Sequence, residues 1–191
     1  DNENLEKLNA EKFFNKEYGS IQKLDFKFIN KEKKKIKIGY YSADYHDHPV
    51  LHSIRDILKQ HDKSKFEIYA FSHGERDNNP FREEIKKLVD KFINIEDMSD
   101  QEVINLSRNL DIDIAVNLTG FTKNDRTSIY LKRVAPTQIN YLGYPGTMGT
   151  NCFDYILADQ ITIPKEKTKS YTEKVFYLPN LLSLKDEPLT T

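Results

Sequence analysis

Three of the chain's five histidines, His46, His48 and His52, fall in one short stretch beside Asp44 and Asp47. Imidazole and carboxylate together can take up and release a proton near neutral pH. Pro49 presets the first turn of a helix, which places His48 at that helix's N-terminus, an end that favours anions. His48 and His52 also stand four apart, the spacing of a metal pair, with Asp44 or Asp47 as carboxylate ligand. Pro49 argues against that reading, because it leaves His48 at the cap. A plainer reading has Asp44, Asp47 and His46 merely capping and solvating the loop. The residues alone leave proton handling and capping both open.

Two further stretches carry groups that a phosphate or another polar ligand could meet. Thr119-Gly120-Phe121-Thr122-Lys123 offers two hydroxyls and a cation. Leu142-Gly143-Tyr144-Pro145-Gly146-Thr147-Met148-Gly149 takes an irregular path set by Pro and Gly, with backbone amides open to a polar ligand. Of the chain's 7 Gly, four (Gly120, Gly143, Gly146, Gly149) stand in these two stretches. Glycine there supplies positive φ or lets a ligand approach the backbone closely. A surface turn and a structural crossover loop are the corresponding plain readings. No GxGxxG and no P-loop signature occurs. Cys152, the single Cys, excludes an internal disulfide and most thiolate metal sites, and reads as a small buried filler.

These stretches follow strands. Apolar periodicity predicts strands at Ile36–Ser42, Phe66–Phe71, Phe92–Ile95, Ile112–Leu118, Thr137–Leu142, Phe153–Ala158 and Val175–Leu178. Helices are predicted at Val50–His61, Phe81–Lys91, Asp100–Asn109 and Arg126–Arg133, the third capped by Ser99 with Glu102 at capping-box spacing. Strands alternating with helices of this length predict an α/β, Rossmann-like three-layer sandwich with a mainly parallel sheet. Ligands of such sheets bind beyond the carboxyl ends of the strands, at a topological switch point. The loops after the first, central and following strands are therefore the candidate site.

The chain's 191 residues suit one domain that needs no staples. Lys+Arg 29 against Asp+Glu 30 gives a net charge of −1, which argues against a nucleic-acid partner. No apolar run approaches a membrane span, and residues 1–20 hold no secretory core, so a cytoplasmic, intracellular protein is expected. Residues 1–35 read as a helical and linker segment, with a short helix ending at Gly19 and a solvated basic run, Lys31-Glu32-Lys33-Lys34-Lys35. Residues 36–180 form the Rossmann-like domain, and 181–191 a tail.

The same loops carry a family likeness. Ile38-Gly39-Tyr40-Tyr41-Ser42-Ala43-Asp44-Tyr45 with His48-Pro49 resembles the opening of the catalytic region of O-linked N-acetylglucosamine transferases. Asn117-Leu118-Thr119-Gly120-Phe121-Thr122 with Arg126 follows in family order. Ala135-Pro136-Thr137-Gln138 then runs into Tyr141-Leu142-Gly143-Tyr144-Pro145-Gly146-Thr147. Phe153-Asp154-Tyr155-Ile156, Asp159, Pro164, Tyr171, Glu173 and Leu178-Pro179 complete the likeness.

The resemblance implies the first of two Rossmann-like domains of a GT-B glycosyltransferase. The family transfers GlcNAc from UDP-GlcNAc to Ser/Thr hydroxyls of proteins, with inversion and without a metal or other cofactor. Upstream TPR repeats and a second catalytic domain are the implied partners, with residues 181–191 leading toward that domain. By position, His48 matches the family's active-site histidine and Asp44 an aspartate proposed as proton acceptor. Lys123 matches a lysine near the cleft. Leu142, Gly143 and Pro145 match the lining of the sugar pocket, and Pro49, Thr122, Gly146 and Thr147 in the same motifs are expected to bind substrate with them and Lys123. Val134 departs from the proline of an RPAP block, and Val50 from the Thr of animal enzymes. Two alternatives stay open: a half-enzyme for another sugar, such as fucose in Spindly-type relatives, and a non-catalytic Rossmann-like interaction domain. Gly146 leans toward the GlcNAc type, the relatives being expected to carry Asn there.

Overall fold

A computed structural model describes residues 5–21, 27–28, 32–76 and 79–179. Within it, helix α1 (Leu5–Tyr18) precedes β1 (Ile36–Ser42), α2 (Pro49–Gln60), β2 (Phe66–Ser72), α3 (Pro80–Leu88) and β3 (Lys91–Asn94). Then follow α4 (Asp100–Asn109), β4 (Ile114–Asn117), α5 (Ser128–Leu131), β5 (Thr137–Tyr141), β6 (Tyr155–Ala158), a short 3₁₀ helix (Lys165–Ser170) and β7 (Lys174–Tyr177). All seven strands are parallel, in the order β3-β2-β1-β4-β5-β6-β7. The chain winds outward from β1 through β2 to β3, then returns to the other side of β1 as β4. The switch point therefore lies between β1 and β4.

Both faces of the sheet's first half are covered, which is why β1 from Ile38 and β2 from Ile68 read as continuous runs without charge rather than alternating ones. On one face Leu51, Ile54 and Leu58 of α2 and Ile85 of α3 pack on Ile38, Tyr40, Ile68 and Val116. On the other, Val103 and Ile104 of α4, Ile129 of α5 and Phe14 of α1 pack on Tyr41, Tyr69, Phe71 and Ala115. Tyr41 stacks on Phe71 with centroids 4.4 Å apart, and its hydroxyl meets Ser107 Oγ at 2.6 Å. The predicted three-layer sandwich is the observed fold, and the capping box of Ser99 and Glu102 is formed.

Four expectations are corrected. The helix expected over Arg126–Arg133 is the single turn Ser128–Leu131. Arg126 is drawn away to Asp100 (2.8 Å), the Ile95 carbonyl (2.7 Å) and the Met98 carbonyl, and Arg133 ends the turn at φ 57°. Strand β4 stops at Asn117 because its side-chain Oδ1 accepts the N–H groups of Thr119 and Gly120, folding the chain into a turn. The 3₁₀ helix has no counterpart in the sequence pattern. Finally, the expected N-terminal helix, α1, does not stand apart from the domain but packs against it. Ala10 and Phe14 are buried, Tyr18 donates to Asp125 at 2.5 Å, and the helix backbone touches Gly149. Gly149 sits at φ +60°, where a Cβ would lie 2.4 Å from the Ala10 carbonyl carbon, so only glycine admits the helix. Lys31 and residues 180–191 lie outside the described residues; of the rest of the basic run, Lys33 reaches Asp113 at 2.6 Å.

Val134, where a proline is expected, donates its backbone N–H to Gln138 Oε1 at 2.8 Å. Proline has no such proton.

Candidate active site

The loop after β1 is built to present Asp44 and His48. Ser42 Oγ accepts the Asp44 N–H at 2.9 Å, turning the chain sharply at the strand end. Tyr45 is buried and donates to the Tyr40 carbonyl at 2.9 Å, so its neighbours on either side face outward. His48 is the N-cap of α2, with φ −147° and ψ 145°, and its Nδ1 accepts the Val50 N–H at 3.3 Å. An accepting Nδ1 assigns the proton of the neutral ring to Nε2. The Asp44 carboxylate stands 3.9 Å from that Nδ1, and the His46 ring lies 5.5 Å from the His48 ring, centroid to centroid.

These groups line a cleft of about 570 Å³ at the β1/β4 switch point. Asp44, His46, His48 and Val50, from the chain after β1, contribute one lip, Thr122, Lys123 and Asn124, from the chain after β4, the other, and Glu75 and Gly143 also line it. Thr122 donates to the Thr119 carbonyl at 3.0 Å, which shapes the second lip. The structure therefore gathers Asp44, His48, Thr122, Lys123 and Gly143 in one place. Pro49, exposed at the first turn of α2, stays at the rim.

At Gly143 a Cβ would lie 1.9 Å from the Leu118 carbonyl oxygen, so the glycine admits a neighbouring loop as well as lining the cleft. Beside it Leu142 holds φ 75°, a left-handed conformation that costs a non-glycine residue energy and marks a constrained loop.

Pro145, Gly146 and Thr147 do not join this cleft. They line a second one, of about 640 Å³, against α1, Phe121 and Tyr171. Thr147 is buried, and its hydroxyl donates to Glu173 Oε2 at 2.7 Å, while Glu173 Oε1 accepts the Met148 N–H at 2.6 Å. This clasp fixes the irregular loop. His52 also stands apart, paired with Asp47 at 2.8 Å and set edge-on against Phe81. Among the described residues no group of three or more His, Cys, Asp or Glu is placed to hold a metal ion.

One loop of the site is missing from the sequence reading. Ser72-His73-Gly74-Glu75 follows β2, and the rule that singles out the other strand ends applies equally to it. Glu75 lines the cleft. His73 lies beneath it, with its N–H on the Ser42 carbonyl at 3.0 Å and Nε2 3.3 Å from Thr119 Oγ1. Burial pushes the His73 imidazole down to about 4, and the nearby Arg126 guanidinium acts in the same direction.

A pH dependence of stability follows. Between pH about 6.5 and about 4 the unfolded chain holds a proton on His73 that the folded chain refuses. Stability is thus complete above pH 6.5 and falls as the pH drops through that window, by on the order of 3 kcal/mol. His61, lowered by its burial, adds in the same direction. Urea unfolding at several pH values checks this, and His73→Gln should flatten the slope.

Comparison with known proteins gives consistent results. The family model described as "Glycosyl transferase family 41" matches residues 10–188. The chain is 30% identical over 153 residues to the Arabidopsis thaliana "Probable UDP-N-acetylglucosamine--peptide N-acetylglucosaminyltransferase SEC", covering 80% of this chain and 16% of that protein. It is 30% identical over 154 residues to the Caenorhabditis elegans "UDP-N-acetylglucosamine--peptide N-acetylglucosaminyltransferase", covering 80% of this chain and 13% of that one. The chain thus spans about a sixth or less of these relatives' length. A solved Thermobaculum terrenum O-GlcNAc transferase mutant shares the fold, with a TM-score of 0.84 at 24% identity over 92% of this chain and 34% of that one.

Proposed function

The chain belongs to glycosyl transferase family 41, and from that premise we propose that it forms the first catalytic half of a protein O-GlcNAc transferase. Its substrates are UDP-GlcNAc and Ser/Thr hydroxyls of acceptor proteins, and the reaction inverts the anomeric carbon without metal or cofactor. The observation that carries this reading is the cleft at the β1/β4 switch point, where Asp44, His48, Thr122, Lys123 and Gly143 converge.

Attack of a hydroxyl on the anomeric carbon requires that its proton be removed and that the departing UDP be stabilised. Asp44 and His48 are the proton-handling pair of the cleft. With Nδ1 occupied by Val50, His48 offers an Nε2–H to a sugar or phosphate oxygen. Lys123 supplies a cation toward the diphosphate. Leu142, Gly143 and Pro145 line the sugar, and Pro49, Thr122, Gly146 and Thr147 complete the substrate-binding set. The facing wall comes from a second Rossmann-like domain, with TPR repeats upstream, in a cytoplasmic protein. No helix among the described residues is long and apolar enough to cross a membrane.

Donor profiling of the parent polypeptide tests the assignment. Calorimetry should show UDP-GlcNAc binding at least tenfold more tightly than UDP-glucose or GDP-fucose, a difference of about 1.4 kcal/mol. Preference for GDP-fucose would move the protein to the other-sugar class, and silence toward all three would leave a non-catalytic domain.

A further inference from the structure

We propose that His73 is a positioning residue for this cleft, fastening its two lips together through the Thr119 hydroxyl. The first lip carries Asp44 and His48 and the second carries Thr122 and Lys123, so their spacing depends on how the two loops are tied. Thr119 is the knot. It is fully buried, and its Oγ1 accepts the backbone N–H of Ala43 at 3.3 Å, directly before Asp44. Its carbonyl accepts the Thr122 hydroxyl at 3.0 Å. The same Oγ1 lies 3.3 Å from His73 Nε2, so the hydroxyl can pass its own proton to a neutral ring while it accepts from Ala43.

His73 is well placed to hold that proton in one direction. Its backbone N–H donates to the Ser42 carbonyl at 3.0 Å, one step past the last paired residues of β1 and β2. The ring is therefore anchored to the same strand end from which the first lip departs. In the neutral ring Nε2 is free to accept the Thr119 hydroxyl proton. Burial and the Arg126 guanidinium keep it neutral at physiological pH.

The consequence for sugar transfer rests on the functional reading above; the fastening itself does not. The test therefore has two arms. In the 191-residue chain, hydrogen exchange is followed by mass spectrometry at residues 43–48 and 119–124, with α2 and α4 as internal controls. His73→Phe keeps ring shape but offers no acceptor, Thr119→Val removes the hydroxyl, and His73→Gln restores a side-chain acceptor. The first two should speed exchange at both loops about fivefold while leaving the helices unchanged, and His73→Gln should restore protection. In the parent polypeptide, His73→Phe and Thr119→Val should each lower kcat/KM for UDP-GlcNAc about tenfold, with no further loss in the double variant.

Unchanged exchange at the two loops would overturn the proposal, as would losses that multiply in the double variant. Should His73→Phe fail to fold, Thr119→Val and His73→Gln decide the same question. A parent polypeptide that moves no sugar, while its loops respond as described, would refute the functional reading and leave the fastening standing.

Discussion

Replacing His48 by alanine in the parent polypeptide should lower transferase turnover at least tenfold, about 1.4 kcal/mol of transition-state stabilisation. The expectation comes from the placement of the ring. His48 stands at the N-terminus of α2 with its Nδ1 committed to Val50, so Nε2 is the atom it brings to the cleft. Alanine also removes the helix cap, which by itself costs about 1 kcal/mol of stability. Asn separates the two effects, because it caps well and has no imidazole. His48→Asn should therefore fold normally and stay as inactive as His48→Ala. His52→Ala serves as the control, since His52 pairs with Asp47 outside the cleft, and it should be near normal. Steady-state kinetics with UDP-GlcNAc and an acceptor peptide make the measurement. Near-normal kinetics in both His48 variants would remove that residue from the site.

The sheet and most of the first-half elements are legible in the amino-acid pattern, for a physical reason. Strands β1 and β2 are buried on both faces from Ile38 and Ile68 onward, so no charge interrupts them there, and α4 carries both its apolar stripe and its capping box. Elements whose ends are set by distant partners are less legible. The one turn of α5 depends on Arg126 reaching Asp100 and two carbonyls, contacts with no local signature. Helix α1 shows only sparse apolar points, and its attachment turns on Gly149, more than a hundred residues away.

The candidate site is legible in its location and less so in its membership. The switch-point rule finds the loops of Asp44, Thr122 and Leu142 from strand order alone. It does not show that the Leu142–Gly149 loop divides between two clefts, because the Thr147–Glu173 clasp that turns it away spans 26 residues. Nor does it show that Gly143 also admits Leu118. The β2 loop falls under the same rule, yet its Ser, His and Glu form no motif that draws notice, and His73 is missed with it.

The largest effect expected is the difference between this chain alone and the same chain joined to the rest of a family 41 catalytic region. The cleft holds Asp44, His48 and Lys123 on its lips, and a diphosphate would need further donors than these. One cation and one imidazole cannot replace a closed, water-excluding wall, since electrostatic stabilisation of the leaving group depends on preorganised donors in a dry site. Losing such donors costs orders of magnitude, about a hundred- to a thousandfold for each oxyanion-type contact. The direct measurement is transfer of labelled GlcNAc from UDP-GlcNAc to an acceptor peptide, run side by side with the purified 191-residue chain and with the parent polypeptide. The prediction is steady transfer by the parent and none above background by the chain. Robust turnover by the chain alone would contradict the account, because a single wall would then suffice.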